Sequence, residues 1–196
     1  MGNFVETIKF SKEFILHPVS VSSIIPSSKN LSSAIMSMSN LENAKTIFEF
    51  GCGTGSVTRE IVKNLNKNAK LFSFDINPAF IKVIKRKYPQ VKAINDSVEN
   101  VTKYMDEYSV DSVDRIISSL PWAAFDDDLQ EKLLDITYDV LRLNGEFVTY
   151  AYLHTKFMPS HKRFVKMLRK KFKTTIFSSV VWLNVPPAFI IKCRKD

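Results

Sequence analysis

Apolar positions along this chain switch between two periods. Short apolar runs at Thr46–Phe50, Lys70–Ile76, Val91–Asn95, Asp114–Ser118 and Glu146–Tyr152 predict buried strands. Between them apolar residues recur every three or four positions and predict helices. Val57, Ile61, Val62 and Leu65 carry the first of these. Phe80, Ile81, Ile84 and Tyr88 carry the next, with Asn77 as N-cap, Pro78 as first helical residue and Pro89 as stop. Ser97 caps a helix bearing Val98, Val101 and Met105. Asp126, Asp127 and Asp128 suit a helix N-terminus, where carboxylates complement the dipole. Leu129, Leu133, Ile136, Val140 and Leu141 form that helix's apolar face, and Asn144-Gly145 is expected to end it. A basic helix over residues 160–172 precedes two last strands, Thr174–Leu183 and Ala188–Arg194, joined by the turn Asn-Val-Pro-Pro. Upstream, Leu31, Ile35 and Met38 keep helical spacing within a serine-rich stretch. Phe4, Ile8, Ser11 and Ile15, with Phe14 beside them, put an apolar stripe on a first, lysine-bearing helix.

Alternation of strands and helices predicts an α/β fold with a doubly wound, mostly parallel sheet. Seven strands are expected, the last two forming an antiparallel hairpin. A length of 196 residues suits one domain. Residues 1–40 are read as an amphipathic helical cap of that domain and 41–196 as its core. No apolar run reaches the roughly 18 residues of a membrane span, and no signal peptide is seen. Glu6 stands where a myristoylation motif wants Ser or Thr. Cys52 and Cys193 lack a disulfide or metal spacing and are read as reduced thiols of a cytoplasmic protein. Three scattered histidines make no zinc site, so no metal is expected. The net charge of +8 predicts an anionic partner, membrane surface or nucleic acid.

Three glycines follow the first strand at every second position, Gly51, Gly53 and Gly55 in "EFGCGTG". A glycine turn after the first strand of a parallel sheet lets backbone approach a ligand closely. The dinucleotide fingerprint G-x-G-x-x-G fails here, because Ser56 occupies its third position. The pattern E-x-G-x-G-x-G, from Glu49 to Gly55, instead resembles motif I of the Rossmann-like class I S-adenosylmethionine-dependent methyltransferases. Asp75, about twenty residues on, stands where an acid accepts both ribose hydroxyls. Asp96 follows the third strand, where that family often places an adenine-binding acid. The resemblance implies S-adenosyl-L-methionine as cofactor, with contacts from Glu49, Gly51, Gly53, Gly55, Asp75, Ile76, Asp96 and Ser97.

The fourth strand ends in "SSLPWAAF", Ser118–Phe125, which resembles the acceptor motifs of enzymes that methylate amino nitrogens. Ser119 replaces the asparagine of the adenine dimethylases and cannot reproduce an amide's donor–acceptor pair. Together with "IIPSS" (Ile24–Ser28) and "NVPPA" (Asn184–Ala188), the chain resembles the soluble bacterial phospholipid N-methyltransferases over nearly its whole length. That resemblance implies methylation of the amine head group of phosphatidylethanolamine and its methylated intermediates. It also implies an enzyme peripheral on the inner, anionic face of the membrane. Ser119, Leu120, Pro121 and Trp122 would form the acceptor site, with Trp122 walling in the head group. Tyr150 and Tyr152 are assigned to opposite faces of their strand, and His154 is left outside the catalytic group. An RNA adenine N6-dimethylase is the alternative, with nucleic acid as partner; it normally carries a further helical domain.

Overall fold

The computed structural model describes residues 29–196. The predicted first helix around Phe4–Ile15 and the Ile24–Ser28 stretch lie outside the described residues. The strands of the sheet are β1 (Thr46–Phe50), β2 (Lys70–Phe74), β3 (Lys92–Ile94), β4 (Val113–Ser118), β5 (Leu141–Tyr152), β6 (Thr174–Phe177) and β7 (Ala188–Arg194). They lie in the order 3-2-1-4-5-7-6. β1 pairs in parallel with β2 and β4, and β5 pairs in parallel with β4. β7 runs antiparallel between β5 and β6. Seven mostly parallel strands with an antiparallel C-terminal hairpin match the sequence expectation, and β7 is buried inside the sheet rather than left at its edge.

Side-chain alternation divides the core between the two faces. Phe48 and Phe50 of β1 meet Phe72 and Phe74 of β2 on one face, with Phe48 and Phe72 ring centroids 5.3 Å apart. The helices α4 (Val101–Glu107), α5 (Asp127–Val140) and α6 (Pro159–Lys171) cover that face. Ile47, Leu71, Ile117, Val148 and Ile190 line the other face. There α1 (Lys29–Ser39), α2 (Ser56–Asn64) and α3 (Pro78–Lys87) supply Leu31, Ile35, Val57, Ile61, Ile81 and Ile84. The periodicity at Leu31, Ile35 and Met38 is therefore a real helix, packed on the core.

Three boundaries depart from expectation. β2 stops at Phe74, which leaves Asp75 and Ile76 in the turn. β6 stops at Phe177, and only an isolated bridge from Val181 to Ala188 continues it. The helix after Asp126 ends at Val140, and Leu141 already belongs to β5. Asn144, at φ 61°, and Gly145 instead form a kink within that strand, where the β4–β5 register shifts. An Asn-Gly pair signals a left-handed residue, which a strand irregularity uses as readily as a helix stop.

The caps follow the sequence more closely. Asn77 Oδ1 accepts the Ala79 N–H at 2.9 Å, and Pro78 opens α3. Asp126 Oδ1 accepts the Leu129 N–H at 2.8 Å at the start of α5. Asn77→Ala is expected to cost about 1 kcal/mol of stability, read as a lowered urea midpoint at unchanged slope. An unchanged midpoint would mean that the cap bond contributes nothing there.

Candidate active site

Strand order reverses between β1 and β4, because β2 and β3 lie to one side and β5 to the other. In an open parallel sheet the crevice outside the strands' carboxyl ends opens at such a point. Two turns meet there. The Ser119 N–H donates to Phe50 O at 2.8 Å, which ties the end of β4 to the end of β1. A Cβ on Gly51 would come within 3.2 Å of Leu120. The glycine turn and the "SSLPW" turn are thus in contact, although about seventy residues separate them.

The glycine turn is also tied to β2. Gly51 N–H donates to Phe74 O at 2.9 Å. Gly53 N–H donates to Asp75 Oδ2 at 2.9 Å, and Asn77 N–H donates to Asp75 Oδ1 at 2.9 Å. Burial raises the Asp75 carboxyl above its ordinary value against these two backbone donors. Gly53 has φ 50°, and nothing lies within 4 Å of where its Cβ would stand. Gly55 has φ 89°, and a Cβ there would meet Ile84 at 2.8 Å. Glycine at 53 therefore keeps a backbone cradle open, and glycine at 55 lets α2 start hard against α3. Ile76 projects into solvent beside Asp75.

Glu49 occupies a different kind of position. It is wholly buried, under α2, with Thr58 Oγ1 donating to its carboxylate at 2.8 Å and Ser73 Oγ at 2.6 Å. Desolvation raises its pKa to about 7 against those hydroxyl bonds, and the Asp75 charge adds to the rise. Its contacts are to Ser73 of β2 and Thr58 of α2, beneath the glycine turn. Asp96 is likewise engaged locally. Tyr104 OH donates to Oδ2 at 2.7 Å, and Asn100 Nδ2 and the Ser97 N–H donate to Oδ1 at 2.9 and 2.7 Å. Burial alone would raise the Asp96 carboxyl, but these donors hold it below its ordinary value. Ser97 Oγ caps the following turn through the Glu99 N–H at 3.2 Å.

On the β4 side, Ser118 and Trp122 make the frame. Trp122 Nε1 donates to Ser118 Oγ at 3.1 Å. The indole is buried and stacks on Phe164 at 4.7 Å between ring centroids. Gln130 Nε2 donates to Trp122 O at 2.6 Å, and Ser160 Oγ donates to Ala123 O at 2.7 Å. Trp122 faces the core beneath the turn, so walling in a head group is not a role this indole position allows. An aromatic ring after a proline satisfied the motif, and the larger apolar contact lay inward, on Phe147 and Phe164. Ser119 Oγ is buried and has no hydrogen-bond partner among the described residues. A buried hydroxyl left unpaired costs free energy and calls for a ligand or a purpose.

Tyr150 and Tyr152 form a further aromatic group. Their rings meet at 5.7 Å, which corrects the assignment to opposite faces: residues two apart in a strand share a face. His154 stacks on Tyr152 at 5.8 Å. The row leads from β5 toward the "NVPP" turn, where Leu153 N–H donates to Pro187 O at 2.8 Å and Asn184 Nδ2 donates to Pro186 O at 2.6 Å. The correct period-2 rule would have found this row in the sequence.

A seven-stranded sheet of this order, with a glycine turn and an acid at its switch point, defines a nucleoside-binding methyltransferase fold. The comparisons agree. Residues 47–145, half of the chain, match the family described as methyltransferase domain, and the chain belongs to that family. It is similar to the ornithine lipid N-methyltransferase of Singulisphaera acidiphila, 23% identical over 188 residues that cover 94% of each chain. Among solved structures it is similar to the N-methyltransferase NodS of Bradyrhizobium japonicum bound to S-adenosyl-L-homocysteine. That likeness has a TM-score of 0.69 at 14% identity and covers 94% of this chain and 96% of that one. An rRNA methylase of Streptococcus thermophilus has the same fold, with a TM-score of 0.59 at 16% identity and coverage of 84% and 94%. The protein is an S-adenosylmethionine-dependent methyltransferase. The open cradle at Gly53, the acid beside it and the orphaned Ser119 hydroxyl all fit that cofactor and an acceptor next to it.

Proposed function

We propose that this methyltransferase transfers methyl groups to the head-group amine of a membrane aminolipid, phosphatidylethanolamine and its methylated intermediates first among them. One observation carries the reading. The unpartnered Ser119 hydroxyl sits in the turn that touches the glycine cradle, where an amine N–H would find its acceptor. Full-length similarity to a lipid N-methyltransferase and the motifs "SSLPW" and "NVPPA" support the choice of an aminolipid.

In this reading the Gly51–Gly55 backbone and Asp75 hold the cofactor, with Ile76 against its base and the Asp96–Ser97 turn at the cradle's far side. S-adenosylmethionine supplies an already activated methyl group on a sulfonium. The chain's task is then to place a neutral nitrogen in line at near-attack distance. Ser119 Oγ accepts one amine hydrogen and so aims the lone pair. Pro121 and the buried Trp122 keep that turn rigid, because the indole is stacked and hydrogen-bonded from beneath. Burial of the amine beside a cationic centre lowers its pKa and releases the proton that blocks attack. Tyr150, Tyr152 and His154 offer aromatic faces suited to a methylated ammonium product.

The test uses the purified protein with radiolabelled S-adenosylmethionine. It is given vesicles of phosphatidylethanolamine or of ornithine lipid, with structured RNA in a parallel tube. Label in chloroform-extractable lipid is the expected result, and chromatography counts the methyl groups. Label confined to RNA would overturn the lipid reading. Ser119→Ala is expected to lower the rate of lipid methylation about tenfold with cofactor affinity unchanged, since one hydrogen bond of about 1–1.5 kcal/mol is lost from the acceptor alone.

A further inference from the structure

The sheet's carboxyl edge carries an apolar rim that the methyl-transfer site does not use. Two loops leave this edge side by side, from Tyr152 at the end of β5 and into Ala188 at the start of β7, which are paired neighbours. The first loop presents Phe157 and Met158, and the second presents Trp182, Leu183 and Val185. Exposure reaches 76% at Phe157, 68% at Trp182 and 76% at Leu183, although these side chains are among the most water-averse in the chain. Both loops are anchored rather than loose at their bases. Leu153 N–H binds Pro187 O at 2.8 Å, Val181 N–H binds Ala188 O at 2.7 Å, and the His161 ring meets Phe189 at 5.8 Å. A rigid scaffold therefore holds large apolar side chains outward on the side where the active site opens.

Charge along the two loops is one-sided, and acids meet α6 from α5, where Asp127 pairs with Arg163. From Leu153 to Lys173 the chain has no acidic residue, and from Ser178 to Ile191 it has no charged residue at all. Lys156 adjoins Phe157, and Lys162 lies in the first turn of α6; both are exposed. Exposed apolar side chains next to lysines, on loops that themselves carry no acid, complement an anionic bilayer surface: the rim enters the acyl boundary and the lysines meet the head groups. Several large apolar side chains exposed on adjoining loops mark an interaction site.

We infer that the rim formed by Phe157, Met158, Trp182, Leu183 and Val185 inserts into an anionic lipid bilayer and turns the active-site crevice toward the head groups. The inference rests on the aminolipid reading for its choice of partner, and on exposure and charge for its place. It gives this membrane contact to the β6–β7 loop and the entry to α6.

Fluorescence tests it directly. The chain has two tryptophans. Trp122 is stacked in the core, so any lipid-dependent change reports Trp182. Vesicles rich in phosphatidylglycerol are expected to shift the emission to the blue, and brominated acyl chains to quench it. The double variant Trp182→Ser, Leu183→Ser is expected to lose about tenfold or more in vesicle affinity, with S-adenosylhomocysteine affinity unchanged. Methyl transfer into lipid by a protein whose Trp182 emission neither shifts nor quenches would overturn the rim and keep the aminolipid reading. A shift and quench without label in lipid would keep the rim and overturn the aminolipid reading. Absence of both would overturn both.

Discussion

Replacing Asp75 with alanine is expected to weaken S-adenosylhomocysteine binding by about two orders of magnitude in a calorimetric titration. The carboxylate stands at the carboxyl end of β2, half-buried, with Oδ2 and Oδ1 already fixed by the Gly53 and Asn77 N–H groups. Oδ2 also faces the Cys52 thiol at 3.9 Å, and under the proposed cofactor reading the acceptor capacity left on the two oxygens serves a pair of vicinal ribose hydroxyls. A hydrogen bond to a charged group contributes about 1.5–3 kcal/mol, so loss of two gives about 3 kcal/mol or more, a factor of at least about a hundred. Asp75→Asn retains one accepting oxygen and is expected to lose closer to tenfold. The order wild type, asparagine, alanine separates a ligand-binding carboxylate from one that only fixes the turn. A purely structural Asp75 would lower the urea midpoint in proportion and leave the affinities of the folded variants alike.

Most of the fold was legible in the sequence because both periods were strong. The apolar runs are buried on both faces and the amphipathic stretches between them on one, so the two periods are distinct in the sequence. What failed was local. Asn144-Gly145 specified a left-handed residue without specifying whether helix or strand would use it. The β6 run continued in sequence past Phe177, but Ser178 and Ser179 took the chain out of the ladder: Ser178 Oγ accepts the Ile190 N–H at 2.9 Å, replacing a backbone partner. The candidate site divides in the same way. Spacing placed Gly51, Gly53, Gly55 and Asp75 together, because backbone geometry in that turn depends on residue type alone. Spacing could not show which way Trp122 faces, since a ring flanked by turn residues finds its largest contact only once α6 brings Phe164 beneath it. Nor could it show which groups of the protein hold each carboxylate. Glu49 and Asp96 carry the expected residue type at the expected place, and each is held by hydroxyl or amide donors of the protein itself. The exposed rim needed the fold as well, because the loops that carry Phe157 and Trp182 leave neighbouring strand ends only through the pairing of β5 with β7.

Glu49→Gln is expected to alter the pH dependence of stability more than stability itself. The Glu49 carboxyl, ordinarily near 4.5, is pushed up to about 7, first by burial and then by the nearby Asp75 charge, against the Ser73 and Thr58 hydroxyls. In the unfolded chain it ionises near 4.5, and in the folded protein only near 7, so between those values the native state holds the extra proton. Stability then falls as pH rises through that window, the reverse of an ion-paired carboxylate. A shift of this size corresponds to about 3 kcal/mol, present in full below the unfolded value and lost above about pH 7. Glutamine has no such proton to lose. Its carbonyl accepts from one hydroxyl and its amide donates to the other, which keeps Thr58 and Ser73 paired. Urea denaturation at pH 5 and at pH 8 is therefore expected to show the variant gaining on the wild type by about 2 kcal/mol across the interval, since part of the effect is already lost at pH 5. The Asp75 carboxyl, also raised by burial, contributes a fall of the same sign to both proteins and largely drops out of the difference. Glu49→Ala should behave otherwise, weaker at both pH values, because two buried hydroxyls and a cavity remain beneath α2. Parallel stability curves for wild type and glutamine variant would mean that Glu49 is ionised throughout, and the glycine turn would then rest on a buried negative charge.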